Sequence, residues 1–187
     1  MTNRPETLPS TQLLKKGPLS VNPADNKPFT GIAIEHYHNH GNPFDISKVK
    51  TRITFKHGRK DGLCEDFREN GRLKFRGNYK NGKLHGLREQ FHRNGQLYIR
   101  GNYKDGKRHG LWETFHDNGR LQSKGNYKDG KQHGLCEIFH KNGQLYIRGN
   151  YKNGKRHGPW ERFHSNGQLQ FKGNYKDGNR TRSLRIF

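Results

Sequence analysis

Along residues 111–134, Leu111, Glu113 and Phe115 alternate with Trp112, Thr114 and His116. This is the period-2 order of a strand whose two faces differ. Asn118-Gly119 follows and reads as a type I′ hairpin turn, because both residues tolerate positive φ. Leu121, Ser123, Gly125 and Tyr127 then take one side of a second strand, with Gln122, Lys124 and Asn126 on the other. Asp129-Gly130 opens the turn into the next segment. Glycine recurs too often for a helix. The connections are all short, so successive strands are expected to be antiparallel neighbours in a continuous meander.

The same order returns every 24 residues. Gly-Asn-Tyr begins at Gly77, Gly101, Gly125, Gly149 and Gly173, and Asn-Gly begins at Asn70, Asn94, Asn118, Asn142 and Asn166. Five units follow: 63–86, 87–110, 111–134, 135–158 and 159–182. A degenerate sixth precedes them at 31–62. Residues 87–110 match 135–158 at 20 of 24 positions but match 111–134 at only 16, so a 48-residue superperiod lies over the 24. The fold class expected is all-β: an elongated array of hairpins in a twisted, single-layer meander over residues 29–182. Two strands per unit advance about 10 Å. The glycine before Asn-Tyr either lets an aromatic ring lie over the backbone or marks a bulge.

Composition alone points elsewhere. Only 27% of the 187 residues are hydrophobic and the formal net charge is +21, a combination that reads as disorder. Periodicity overrides that for the array. It leaves residues 1–28, polar and proline-bearing, expected as a disordered leader, and 183–187 as a tail. No stretch approaches the roughly 18 apolar residues of a membrane-spanning helix. No secretory signal is read, and the two cysteines, Cys64 and Cys136, fall too far apart to bridge. Both points favour a reducing, cytoplasmic setting.

The pattern Gly-x-Trp-x-x-Phe-x-x-Asn-Gly-x-Leu, then Gly-x-Tyr-x-x-Gly-x-x-His-Gly, is carried by Gly110, Trp112, Phe115, Asn118, Gly119, Leu121, Gly125, Tyr127, Gly130, His133 and Gly134. It resembles the MORN-type repeat, and in particular the bacterial variant of the YwqK family of antitoxin-like proteins. Lys27-Pro28-Phe29-Thr30-Gly31 resembles that family's entry into its first unit. The resemblance implies a non-enzymatic binding scaffold with a protein partner, in an antitoxin-like or immunity-like role. Cys64, Arg88 and Cys136 stand where Trp112 and Trp160 stand. Only alternate units therefore keep the tryptophan.

Neither catalytic residues nor a cofactor is expected. Equivalent histidines recur about 10 Å apart along the sheet, and zinc needs its ligands near 2 Å, so no metal is read from the histidine ladder. His36, His38 and His40 alternate on one strand but lack a fourth ligand. The recurring glutamates read as cross-strand partners of Arg or Lys, since five equivalent sites are not what catalysis needs. The candidate binding residues are a basic ladder, Arg76, Arg100, Lys124, Arg148 and Lys172, with Tyr98, Tyr146, Trp112 and Trp160 expected on the same face. Residues 51–187 hold +19 of the charge. The alternative to a protein partner is therefore nucleic acid or anionic membrane lipid bound by this ladder. A purely solubilising surface is the third reading.

Overall fold

The computed structural model describes residues 6–17, 19–37 and 48–185. The chain divides into two compact units, Met1–Gly95 and Gln96–Phe187. Among the described residues both are built of strands, with a single 3-10 turn at Ser10–Gln12. Among the described residues no helix is long and apolar enough to cross a membrane.

The first unit holds β1 (Thr7–Pro9), β2 (Leu14–Lys16), β3 (Leu19–Val21), β4 (Gly31–His36), β5 (Val49–Lys56), β6 (Arg59–Phe67), β7 (Leu73–Lys80) and β8 (Lys83–Phe91). β4 to β8 form an antiparallel meander, and β1 pairs in parallel with the outer edge of β4. Here the described residues of the leader, 6–17 and 19–28, depart from the expectation of disorder. β2 and β3 form a separate hairpin, Val21 is buried, and Phe29, Ala33 and Phe55 form a buried cluster with Leu8, Leu13 and Ile53 packed against it. The Ser20 amide donates to Gly58 O (2.8 Å), Phe29 N to Ser20 O (2.9 Å) and Gly58 N to Phe29 O (2.7 Å). The leader is thus a cap on the open edge and end of the array, which repeat proteins need. His36 ends β4, whereas His38 and His40 lie outside the described residues.

The second unit holds β9 (Leu97–Lys104), β10 (Lys107–Phe115), β11 (Leu121–Lys128), β12 (Lys131–Phe139), β13 (Leu145–Lys152), β14 (Lys155–Phe163), β15 (Leu169–Lys176) and β16 (Asn179–Arg185), each pairing with the next. The 183–187 tail is thus strand as far as Arg185.

The meander alternates two kinds of turn. Asp105-Gly106 has φ of 51° and 82° and joins the facing pair Lys104–Lys107, a two-residue loop of type I′ character. At the opposite end only Gly119 has positive φ, 80°. Its amide donates to His116 O (3.0 Å), and Arg120 N donates to the Asn118 side chain (3.0 Å). This is a three-residue loop with glycine in the left-handed position, so Asn118-Gly119 is not the type I′ turn expected from sequence. Successive type I′ turns are stapled together: Gly130 N donates to Arg108 O, and Gly178 N to Arg156 O.

Candidate binding face

Cross-strand register decides which side chains share a face. Arg100 faces Glu113, while Trp112 faces Gly101 on one side and Gly125 on the other. Ladder residues and tryptophans therefore lie on opposite faces, contrary to the expectation that they share one. Trp112 is the chain neighbour of Glu113 and so points to the other side of the sheet. His109 pairs with Asn102, but the next pair is Trp112 with Gly101, so Gly110 and Leu111 are extra. Gly110, at φ +70°, accommodates this bulge. Two extra residues keep parity, so the bulge shifts Trp112 along the sheet and leaves its face unchanged.

On the ladder face the cations are paired. Arg100 Nε lies 2.6 Å from Glu113, Lys124 lies 2.8 Å from Glu137, and Arg148 lies 2.6 Å and Lys172 3.2 Å from Glu161. In the first unit, Arg76 lies 3.2 Å from Glu65 and 4.0 Å from Glu89. The glutamates thus take the cross-strand role read from sequence. The Arg148 hydrogen bond, opposed by burial and reinforced by Lys172, holds the Glu161 carboxyl below its ordinary value. Each pair, half exposed on the basic side, contributes no more than about 1 kcal/mol. Tyr98 is 41% exposed, and Tyr146 packs on His140 with centroids 4.7 Å apart.

The tryptophan face is built differently. Trp112 and Trp160 are buried, at 4% and 5% exposure. Each indole covers a glycine, Gly101 or Gly149, so closely that a Cβ there would clash with the ring. That is the aromatic-over-backbone role read from sequence, with tryptophan as the ring. Each indole N–H donates 3.1 Å to a carbonyl, Asn102 O or Asn150 O. Tyrosines flank both rings edge-on: Tyr103 and Tyr127 around Trp112, Tyr151 and Tyr175 around Trp160. An arginine covers each. The Arg108 guanidinium sits 4.4 Å from the Trp112 centroid and 5.2 Å from Tyr127, and Arg156 sits 4.5 Å from Trp160 and 5.4 Å from Tyr175. Such stacking contributes about 0.5–2 kcal/mol. Burial opposes the Arg108 charge, but hydrogen bonds to Tyr103 and Tyr127 hold its pKa above the ordinary arginine value.

Arg108 and Arg156 are absent from the ladder read off the sequence, although a signal for them exists. Arginine stands four residues before both tryptophans, whereas Lys60, Leu84 and Gln132 precede Cys64, Arg88 and Cys136. The two-residue bulge is what turns this spacing into a stack.

The histidines at strand ends are structural. His116 Nε2 lies 3.3 Å from Phe139 O and His140 Nε2 lies 3.3 Å from Phe163 O, tying each loop to the next. Arg68 fills the same role in the first unit, donating 2.9 Å to Phe91 O. Cys64 and Cys136 are free and buried, and burial pushes both thiols above their ordinary pKa.

A meander of 24-residue hairpins, each leaning on its neighbours and exposing two flat faces, defines a repeat scaffold. The MORN repeat variant matches residues 60–81, 84–105, 108–129, 132–153 and 156–177, and the MORN repeat matches 100–111 and 148–159. The chain belongs to the MORN repeat variant family. MORN repeats are generally binding scaffolds for protein or membrane lipid. No curated protein matches the chain. Among solved structures, a TarM mutant from S. aureus in complex with fondaparinux, alpha-GlcNAc-glycerol and UDP shares 16% identity at a TM-score of 0.34, over 51% of this chain and 19% of that one. A GtfA/B complex bound to UDP and GlcNAc shares 18% identity at a TM-score of 0.25, over 71% and 24%. The chain spans about a fifth to a quarter of the length of these proteins.

Proposed function

We propose that the chain is a non-enzymatic scaffold that holds an acidic protein partner on the arginine–tryptophan face. One observation carries this reading. The ladder cations are spent on glutamates of their own sheet, whereas Arg108 and Arg156 are stacked on aromatic rings with their guanidinium edges turned to tyrosine hydroxyls. A rigid, pre-stacked guanidinium loses little entropy on binding a carboxylate and offers it a bidentate fork. The two stacks sit four strand steps apart in one unit, about 19 Å, a spacing for a macromolecule. The variant repeat is also the type found in YwqK-like antitoxins, so a protein toxin is the partner class to test first. A cytoplasmic setting accords with two free, buried thiols.

Nucleic acid or anionic lipid on the basic ladder is the alternative, and the total charge of +21 supports it. The ion pairing of the ladder weakens it. Affinity capture at low and high salt separates the two. The expected result is capture of a protein that weakens with salt less steeply than phosphate binding does and is lost when Arg108→Ala and Arg156→Ala are combined. Capture of nucleic acid or lipid alone, falling with a log-log slope near −0.9 per duplex phosphate, overturns the proposal.

A further inference from the structure

At the end of the second unit, a cleft of about 320 Å³ lies over β13 to β16, with Trp160, Phe171 and Tyr175 as its apolar floor and Arg156, Arg162 and Arg180 around it. Two repeats earlier, Arg162, Phe171 and Arg180 have Thr114, Ser123 and Gln132 as counterparts, while Arg156, Trp160 and Tyr175 have the identical Arg108, Trp112 and Tyr127. Units 111–134 and 159–182 differ at nine of 24 positions, and three of the nine, 162, 171 and 180, border one cleft.

The cleft's chemistry narrows its ligand. Arg156 donates to Tyr175 Oη (3.5 Å), and Arg180 lies 4.7 Å over the Phe171 ring. No carboxylate pairs with these three arginines in the ion pairs of the described residues. Glu161 also borders the cleft, but Arg148 and Lys172 hold its carboxylate. Trp160 is 5% exposed, so its face is closed to a stacking nucleobase, the contact on which single-strand binding depends. What remains is guanidinium edge, matched to carboxylates. Arg156 faces Tyr151 and Arg162 faces Ile147, four residues or about 13 Å apart along β13, while Arg162 and Arg180 flank the same Phe171. A single phosphate does not bridge that gap. Two carboxylates four residues apart on an extended peptide span about 13 Å.

We propose that the cleft binds an acidic peptide segment of the partner, one carboxylate at Arg156 and another at Arg162 and Arg180. This rests on the arginine–tryptophan face being the protein-binding face. The test uses the full chain and a dye-labelled octaglutamate peptide in low salt, read by fluorescence anisotropy. Combining Arg162→Thr with Arg180→Gln restores the residues found two repeats earlier, and should weaken binding at least tenfold. The charge-matched control Lys27→Ala should change it less than twofold. Combining Thr114→Arg, Ser123→Phe and Gln132→Arg should raise the stoichiometry from one peptide to two. Absent binding, or binding indifferent to the Arg162/Arg180 variant, overturns the proposal. So does tighter, Arg162/Arg180-dependent binding of oligo-dT or of phosphatidylserine vesicles, which would give the cleft to phosphate ligands. If partner capture depends on Arg108 while the peptide ignores Arg162 and Arg180, the cleft alone is refuted and the face reading stands. If neither matters, both fall.

Discussion

Gly101 and Gly125 hold the same place in successive repeats, yet a methyl group means different things at each. At Gly101 a Cβ would clash with the Trp112 indole, while at Gly125 its nearest neighbour is Cys136 at 3.7 Å, an ordinary contact. Neither is among the residues with positive φ, so the difference is packing and not backbone freedom. Gly101→Ala must displace a buried ring that is clamped by its N–H bond to Asn102 O and by Arg108 above. The expected loss is about 1–3 kcal/mol. Gly125→Ala should stay within about 0.5 kcal/mol or gain slightly from a stiffer unfolded chain. Urea denaturation followed by tryptophan fluorescence checks both, and equal losses would remove the indole as the reason for the glycine.

At the level of strands, parity was readable and register between strands was not. Alternation places Glu113 and Arg100 on definite sides of their own strands, and their opposite charges point to pairing; the structure joins them at 2.6 Å. Trp112 could be aligned with its neighbour only by knowing that Gly110 and Leu111 are extra in β10. Nothing in a period-2 count distinguishes a bulged glycine from a paired one. The bulge moves Trp112 along the sheet without changing its face; the tryptophans part from the ladder because each is next in the chain to a ladder-face glutamate, Glu113 or Glu161. The ion pairs that bridge β13, β14 and β15 also set a pH response. Glu161 has its carboxyl held down chiefly by Arg148. Its contribution is therefore present above the unfolded glutamate value near 4.5 and is lost as pH falls through the lower folded value. In thermal melts between pH 7 and 3, Glu161→Gln should lower stability near neutrality and flatten the acid limb. An acid limb as steep as that of the unsubstituted chain would place the titration elsewhere.

Taken whole, the chain shows why composition misled about its first 28 residues. Leu8, Leu13, Val21 and Phe29 are isolated among polar residues and prolines, and no window there carries a periodic signal. They act together because the chain after the capping hairpin sets Phe29 against Ala33 of β4 and Phe55 of β5, and Leu8 and Leu13 pack on that cluster. A thin sheet has few such places, so one side chain carries a large share of the first unit's core. Phe29 is 1% exposed and its ring centroid lies 5.9 Å from that of Phe55. Phe29→Ala should cost about 3–5 kcal/mol. In a repeat protein each element is coupled mainly to its neighbours, so the damage should be graded. Amide hydrogen exchange should show the greatest loss of protection in β4 and β5, less in β6, and least in β8, the strand furthest from the cap. Uniform loss along β4 to β8 would mean that the first unit melts as one block. Unchanged protection in β4 and β5 would mean that the cap contributes nothing to the array it covers.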